Sequence, residues 1–244
     1  MARRSGRGSK KQRSARPGTD DLITLQTADD EIVHVSPPAM TATLRSSMTR
    51  LRLADELPRC LGVVSAIRGE GVTLVARSLA VLFAHDWDES VCLVELNWRS
   101  PAPGGDAVDA ETGLAGLLRG EATADDVTVR FASPDVAAIP AGRVQQGQSP
   151  VFASGAALSA LLEDLGTRFD RIVLDLPALD GSSESLALAA RADALVMVVR
   201  QGVTTHDEVR RARDDLDGLS VLGVILNDFQ TSVPRGILRR LPVP

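Results

Sequence analysis

The 244-residue chain contains no tyrosine, and its only two lysines are Lys10 and Lys11. The first absence excludes phosphorylation of the chain on tyrosine, in cis or in trans. The second leaves residues 18 to 244 without an ammonium group to set against a phosphate. Cysteine is equally scarce: Cys60 and Cys92 have no His or Cys around them at metal-ligand spacing, and both sit in apolar runs that read as strands. They are expected to be reduced core residues of a cytoplasmic protein. No apolar run reaches the roughly 18 to 20 residues needed to cross a bilayer. No apolar stretch follows the positive N-terminus, so no secretory signal is expected.

What is present is enough apolar material, 44% of residues against 24% charged, for one sizeable α/β core. The net charge of −5 hides an asymmetry, because residues 1 to 17 hold five Arg and two Lys with no acid, leaving about −12 on the rest. Residues 1–19 therefore read as a disordered cationic arm. Its alternatives are a solubilising tail or a contact with an anionic membrane or nucleic acid. LITLQ (22–26) and EIVHV (31–35) alternate as a short β-ribbon, and residues 39–56 carry Met40, Leu44, Met48 and Leu51 at helical spacing. These form an expected segment 20–57, followed by a main domain 58–230 and a C-terminal tail 231–244.

In the main domain, six short apolar runs alternate with helix-length segments: LGVVSA, VCLVEL, VAAIPA, RIVLDLP, ALVMVV and VLGVILN. Runs apolar on both faces predict a doubly wound, mostly parallel α/β sheet with helices on both sides. The covering helices are expected at 73–85, 154–168, 182–192 and 205–218. Ligands of such sheets sit at the carboxyl ends of the strands.

The first run ends in Ser65-Ala-Ile-Arg68-Gly69-Glu70-Gly71-Val72-Thr73 and passes straight into a helix, as a phosphate-binding loop does. Glycines 69 and 71 permit tight turns whose amides, with the helix N-terminus, attract an anion. Where such a loop carries its phosphate-reaching lysine, this chain has Val72. Arg68, Arg77 and Arg99 are the nearby cations in sequence. FDRIVLDLP (169–177) places Asp175 at the tip of a buried strand, where a phosphate-loop hydroxyl or a magnesium-bound water is its natural companion.

Together these segments resemble the cytoplasmic domain of the bacterial tyrosine kinases of capsular and exopolysaccharide synthesis, cousins of the partitioning and septum-site P-loop ATPases. The resemblance spans roughly residues 36 to 228. It rests on VSAIRGEGVT, VCLVELNWRSP, FDRIVLDLPA and GVILN, with Gly113-to-Gly120 and Ile139-Pro-Ala-Gly142 as further matches. It implies a P-loop NTPase fold, ATP or ADP with Mg²⁺ as cofactors, and a phosphate cradle of Arg68, Gly69, Glu70, Gly71, Val72, Thr73 and Leu74. Thr73 and Asp175 would be the metal residues, Asn227 the adenine contact, and Glu95, Asn97 and Asp175 the catalytic positions.

This chain departs from the family pattern at the chemistry. The loop lysine is Val72, the two acids of the second strand are Glu95 and Asn97, the loop proline is Arg68, and the C-terminal tyrosine cluster is missing. A glutamate is one methylene too long and an asparagine is no base. Losing the lysine removes charge that phosphoryl transfer needs. The ring-forming Glu-x-x-Arg-x-x-Arg aligns with Ala39, Ala42 and Arg45. Trp98 is expected to pack rather than stack on a ligand.

The resemblance thus implies a degenerate member, weakly binding or non-catalytic, acting through a membrane polysaccharide co-polymerase or a kinase paralogue, with a homo-oligomer as a further option. Its place would be the cytoplasm or the inner face of the plasma membrane. The alternatives are a divergent but active ATPase or protein-tyrosine kinase, and a partitioning-type ATPase that binds DNA through the basic arm.

Overall fold

A computed structural model describes residues 24–26, 32–98, 112–131, 135–145 and 147–228. The expected basic arm 1–19, the tail 231–244 and Arg99 lie outside them. Strands β1 (Thr24–Gln26) and β2 (Ile32–Val35) pair antiparallel, the ribbon expected from their alternation. Helix α1 (Pro38–Leu53) follows; Pro37 precedes it and Pro38 occupies its first turn, where a missing N–H costs nothing. Leu44 and Met48 of α1 are buried in the same core cluster as the next helix.

The main sheet has seven strands in the order β5-β6-β4-β7-β3-β8-β9. These are β3 (Cys60–Ser65), β4 (Val91–Glu95), β5 (Val129–Arg130), β6 (Val136–Ile139), β7 (Arg171–Asp175), β8 (Ala194–Arg200) and β9 (Val221–Asn227). All neighbours run parallel except β5, a two-residue antiparallel edge on β6. Strands β3, β4 and β7 are buried at every residue, as runs apolar on both faces require.

One face packs on α1 and α2 (Val72–Trp87), the latter burying Val75, Leu79, Leu82 and Phe83. The other packs on α6 (Ala156–Arg168), α7 (Ser183–Ala189) and α8 (His206–Asp215). Each fully buried Leu or Phe contributes about 1.5–3 kcal/mol, so these two layers carry the domain. Cys60 and Cys92 lie buried and unpaired in β3 and β4, flanking Ile172; burial pushes both thiols up to about 12, which makes them inert.

Three short helices went unread in the sequence: α3 (Gly113–Leu118), α4 (Ala124–Val127) and α5 (Ser149–Ser154). The helix expected over 154–168 is broken at Gly155, whose extended backbone separates α5 from α6. The expectation that VLGVILN is covered on both faces is corrected: β9 is an edge strand, and Val224 is 57% exposed. A run of apolar residues does not distinguish a central strand from an edge.

The helix after β3 lies on one face of the sheet and the helix after β7 on the other. Because β3 and β7 are neighbours, their carboxyl ends open a crevice between diverging connections.

Candidate functional site

Residues 66–71 turn from β3 into α2. Gly69 (φ 81°) and Gly71 (φ 93°) both adopt the left-handed conformation that glycine takes without strain. At Gly71 a second constraint applies, since an added Cβ would collide with the side-chain amide of Asn227.

The turn is held by Glu70, a carboxylate only 1% exposed. Its Oε2 accepts from the Ile67 amide at 2.9 Å; its Oε1 accepts from the Arg200 amide at 2.9 Å and from the Thr204 hydroxyl. The Glu70 carbonyl in turn accepts from Asn227 Nδ2 at 2.8 Å. One loop residue thereby ties the turn to the carboxyl ends of both β8 and β9. Glu70, expected as a cradle residue, is the keystone of the cradle.

In front of the turn lies a cavity of about 240 Å³ lined by Ser65, Arg68, Gly69, Glu70, Gly71, Val72, Thr73, Asn97, Pro177 and Ala178. Most of the expected phosphate-loop residues meet here. Val72 borders the cavity but is 7% exposed and belongs to the apolar cluster of α1 and α2. Arg68 also borders it, yet its side chain is 63% exposed and its Nε donates to Asp180 Oδ2 at 3.0 Å. Leu74 lies elsewhere: it lines a larger, more apolar cavity of about 600 Å³ with Pro37, Met40, Ile225 and Asn227, shared at Gly69 and Gly71. Asn227, expected to contact adenine, spends Nδ2 on Glu70 and accepts the Asp228 amide on Oδ1 at 2.9 Å.

On the inner wall, Thr73 donates its hydroxyl to Asp175 Oδ2 at 2.7 Å. Asp175 Oδ1 is buried with no hydrogen-bond partner. Burial pushes the Asp175 carboxyl up to about 7; the Thr73 hydrogen bond opposes the shift, nearby Glu95 adds to it, and Arg77 opposes it. Glu95 faces Asp175 in register across β4 and β7 and accepts from Arg77 NH2 at 2.8 Å. It is absent from the cavity lining, whereas Asn97 is part of it. Of the three expected catalytic positions, Asn97 lies at the cavity, while Asp175 and Glu95 sit side by side behind it, one bonded to Thr73 and the other held by an arginine.

The donor set suits a magnesium ion. A hydroxyl and a carboxylate with one open oxygen are hard oxygen ligands, and the orphaned Oδ1 is satisfied by an ion or its bound water. The backbone amides of the turn and the start of the 16-residue helix α2 are the donors available to a phosphate here. Among the described residues, Arg68 is the one cationic side chain on the cavity wall.

Two neighbouring residues named from the sequence have partners within the chain. Trp98 donates Nε1 to Glu184 at 2.9 Å and meets Phe152 edge-on, so it packs away from the cavity. Arg45 forms an ion pair with Asp86, its NH2 reaching Oδ1 at 3.0 Å, which fastens α1 to the end of α2. Sequence reading missed the roles of Glu70 and Arg77; a buried glutamate between two glycines was the only local signal.

No protein-family model matches the chain. It is 24% identical over 189 residues to the tyrosine-protein kinase CpsD of Streptococcus agalactiae, covering 76% of this chain and 82% of that one. It is 29% identical over 215 residues to the succinoglycan biosynthesis transport protein ExoP of Rhizobium meliloti, covering 85% of this chain but 27% of that longer protein. Among solved structures, the VpsO kinase domain superposes with a TM-score of 0.68 at 26% identity, covering 79% of this chain and 97% of that one. The chain is thus related to bacterial tyrosine-protein kinases of capsule and exopolysaccharide synthesis, and its fold is that of the P-loop NTPases.

Proposed function

We propose that the chain is a degenerate relative of these kinases that binds ATP weakly and does not turn it over. It regulates capsule or exopolysaccharide synthesis by contact with a membrane polysaccharide co-polymerase or an active kinase paralogue. The observation that carries this reading is Val72, a neutral side chain packed into the α1–α2 core where a phosphate-reaching ammonium is expected. Phosphoryl transfer is catalysed by positioning and charge neutralisation, so a cradle with the right shape and too little positive charge supports neither tight triphosphate binding nor turnover.

Thr73 and Asp175 are the residues that would hold a magnesium ion, which would supply positive charge against the phosphates. The chain's own groups do the rest. Gly69 and Gly71 let the backbone approach the phosphates, Glu70 keeps the turn open, and Asn97 offers an amide but no base. Glu95, the remaining acid of the second strand, is engaged by Arg77 and so is not free to take a proton from an attacking hydroxyl.

Calorimetry with ATP·Mg²⁺ tests the reading. Val72→Lys should bind at least tenfold more tightly than the natural sequence, whose hydrolysis should stay at background. Tight, Mg²⁺-dependent binding with hydrolysis by the natural sequence overturns it. One observation favours a second reading, an active but divergent enzyme: Arg68 does line the cavity and could turn from Asp180 to a phosphate.

A further inference from the structure

Two acidic side chains on neighbouring strands point to the same face of the sheet, because Glu95 and Asp175 are partners in the parallel register of β4 and β7. Each is largely buried, Asp175 at 2% exposed and Glu95 at 7%. Like charges placed side by side in such surroundings call for a cation between or beside them. Here a cation is already present and covalently attached. Arg77 stands one helical turn beyond Thr73 on α2, so both project toward the same strands. Its NH2 donates to Glu95 Oε1 at 2.8 Å, with side-chain exposures of 17% for Arg77 and 10% for Glu95.

The four side chains form one cluster. Thr73 holds one oxygen of Asp175, Arg77 holds one oxygen of Glu95, and the second oxygen of Asp175 has no partner. Arg77 is near enough to Asp175 to lower its pKa while Glu95 raises it, so the three charges share one electrostatic environment. A guanidinium does not release its proton under any condition the fold survives, so its charge is permanent.

We infer that Arg77 is a tethered counter-cation that competes with a divalent ion for the Glu95–Asp175 pair, keeping magnesium affinity low whether or not a nucleotide is bound. With Arg77 in place the pair carries one net negative charge at most; without it, two. A hard divalent ion, bound mainly through charge and oxygen donors, gains from that second charge. The inference rests on the reading of Thr73 and Asp175 as the residues that would hold the ion. It does not involve Val72, so it can fail separately from the proposal of weak ATP binding.

The test uses the full-length, metal-free protein with Mn²⁺ as probe and no nucleotide, bound and free ion being measured by electron paramagnetic resonance. The natural sequence should bind Mn²⁺ weakly, and Arg77→Gln should bind it at least tenfold more tightly. Arg77→Met, which keeps the aliphatic stem, gives the same comparison if the glutamine variant does not fold, as judged by thermal melting. Adding Glu95→Gln to either variant should return affinity to within about threefold of the natural protein. Equal Mn²⁺ affinity in the natural and Arg77-substituted proteins overturns the inference, as does a gain that survives Glu95→Gln. Tight ATP binding together with the expected Mn²⁺ result would sink only the weak-binding proposal.

Discussion

The two walls of the phosphate turn are built to different standards. On the side of β8 and β9, the buried polar groups at the turn are paired: the Glu70 carboxylate receives three donors, and the Asn227 amide is used at both ends. On the side of β7 and β4, Asp175 keeps an orphaned oxygen, Glu95 needs an arginine beside it, and a valine stands at the phosphate-facing position. One wall holds the shape of the turn; on the proposed reading, the charge of a nucleotide site would come from the other. By this contrast, backbone geometry and electrostatics of a site are separable: the first is fixed by buried hydrogen bonds and does not depend on the second.

The largest expected effect bears on the well-made wall. Glu70→Ala leaves the Ile67 amide without its acceptor and takes a buried carboxylate away from the Arg200 amide and the Thr204 hydroxyl, and should cost about 3 kcal/mol in urea unfolding, with Glu70→Gln milder. A loss under about 1 kcal/mol would show that the turn is held by something else, and the contrast would collapse.

The next concerns the orphaned carboxylate. With its folded pKa near 7, above the ordinary 3.8, Asp175 favours the folded state fully only below the ordinary value, and this stabilisation is lost as pH rises through about 7. Asp175→Asn removes that dependence. In metal-free buffer the melting temperature of the variant should therefore gain on the natural protein between pH 4 and 7 and hold its gain above. The span is on the order of a few kcal/mol. A difference that stays flat with pH would mean that Asp175 is ionised like any surface carboxylate.

The smallest effect sharpens the contrast at the cavity mouth. Arg68 and Asp180 form an exposed pair, so Arg68→Ala should change stability by about 0.5 kcal/mol or less. It should lower ATP affinity less than about threefold. A loss beyond tenfold would identify Arg68 as the replacement for the missing lysine and favour the active-enzyme reading.

The centre of the fold was legible because β3, β4, β7 and β8 are apolar on both faces, and such runs have few alternatives to a covered parallel sheet. The turn after β3, Thr73 and Asp175 were legible for a similar reason: glycines at set spacing and an acid at the tip of a buried strand are local signals. The edges were not. Strand β5 exists only through pairing with β6, and the exposure of β9 depends on what lies beside it rather than on its own residues. Arg77 was visible as a nearby cation, but its partner Glu95 is 18 residues away and meets it only after β4 is laid into the sheet. The engagement of Asn227 with the turn is likewise a long-range fact, joining residues 157 apart.

The Glu70 carboxylate also has a consequence in time. The amides of Ile67 and Arg200, 133 positions apart, both donate to this one side chain, and the Arg200 amide also reaches the Thr204 hydroxyl. Linked through one carboxylate, the turn and the end of β8 are expected to exchange their amide hydrogens in a common local opening. In this respect the turn is a clasp on which one side chain closes two distant stretches of chain.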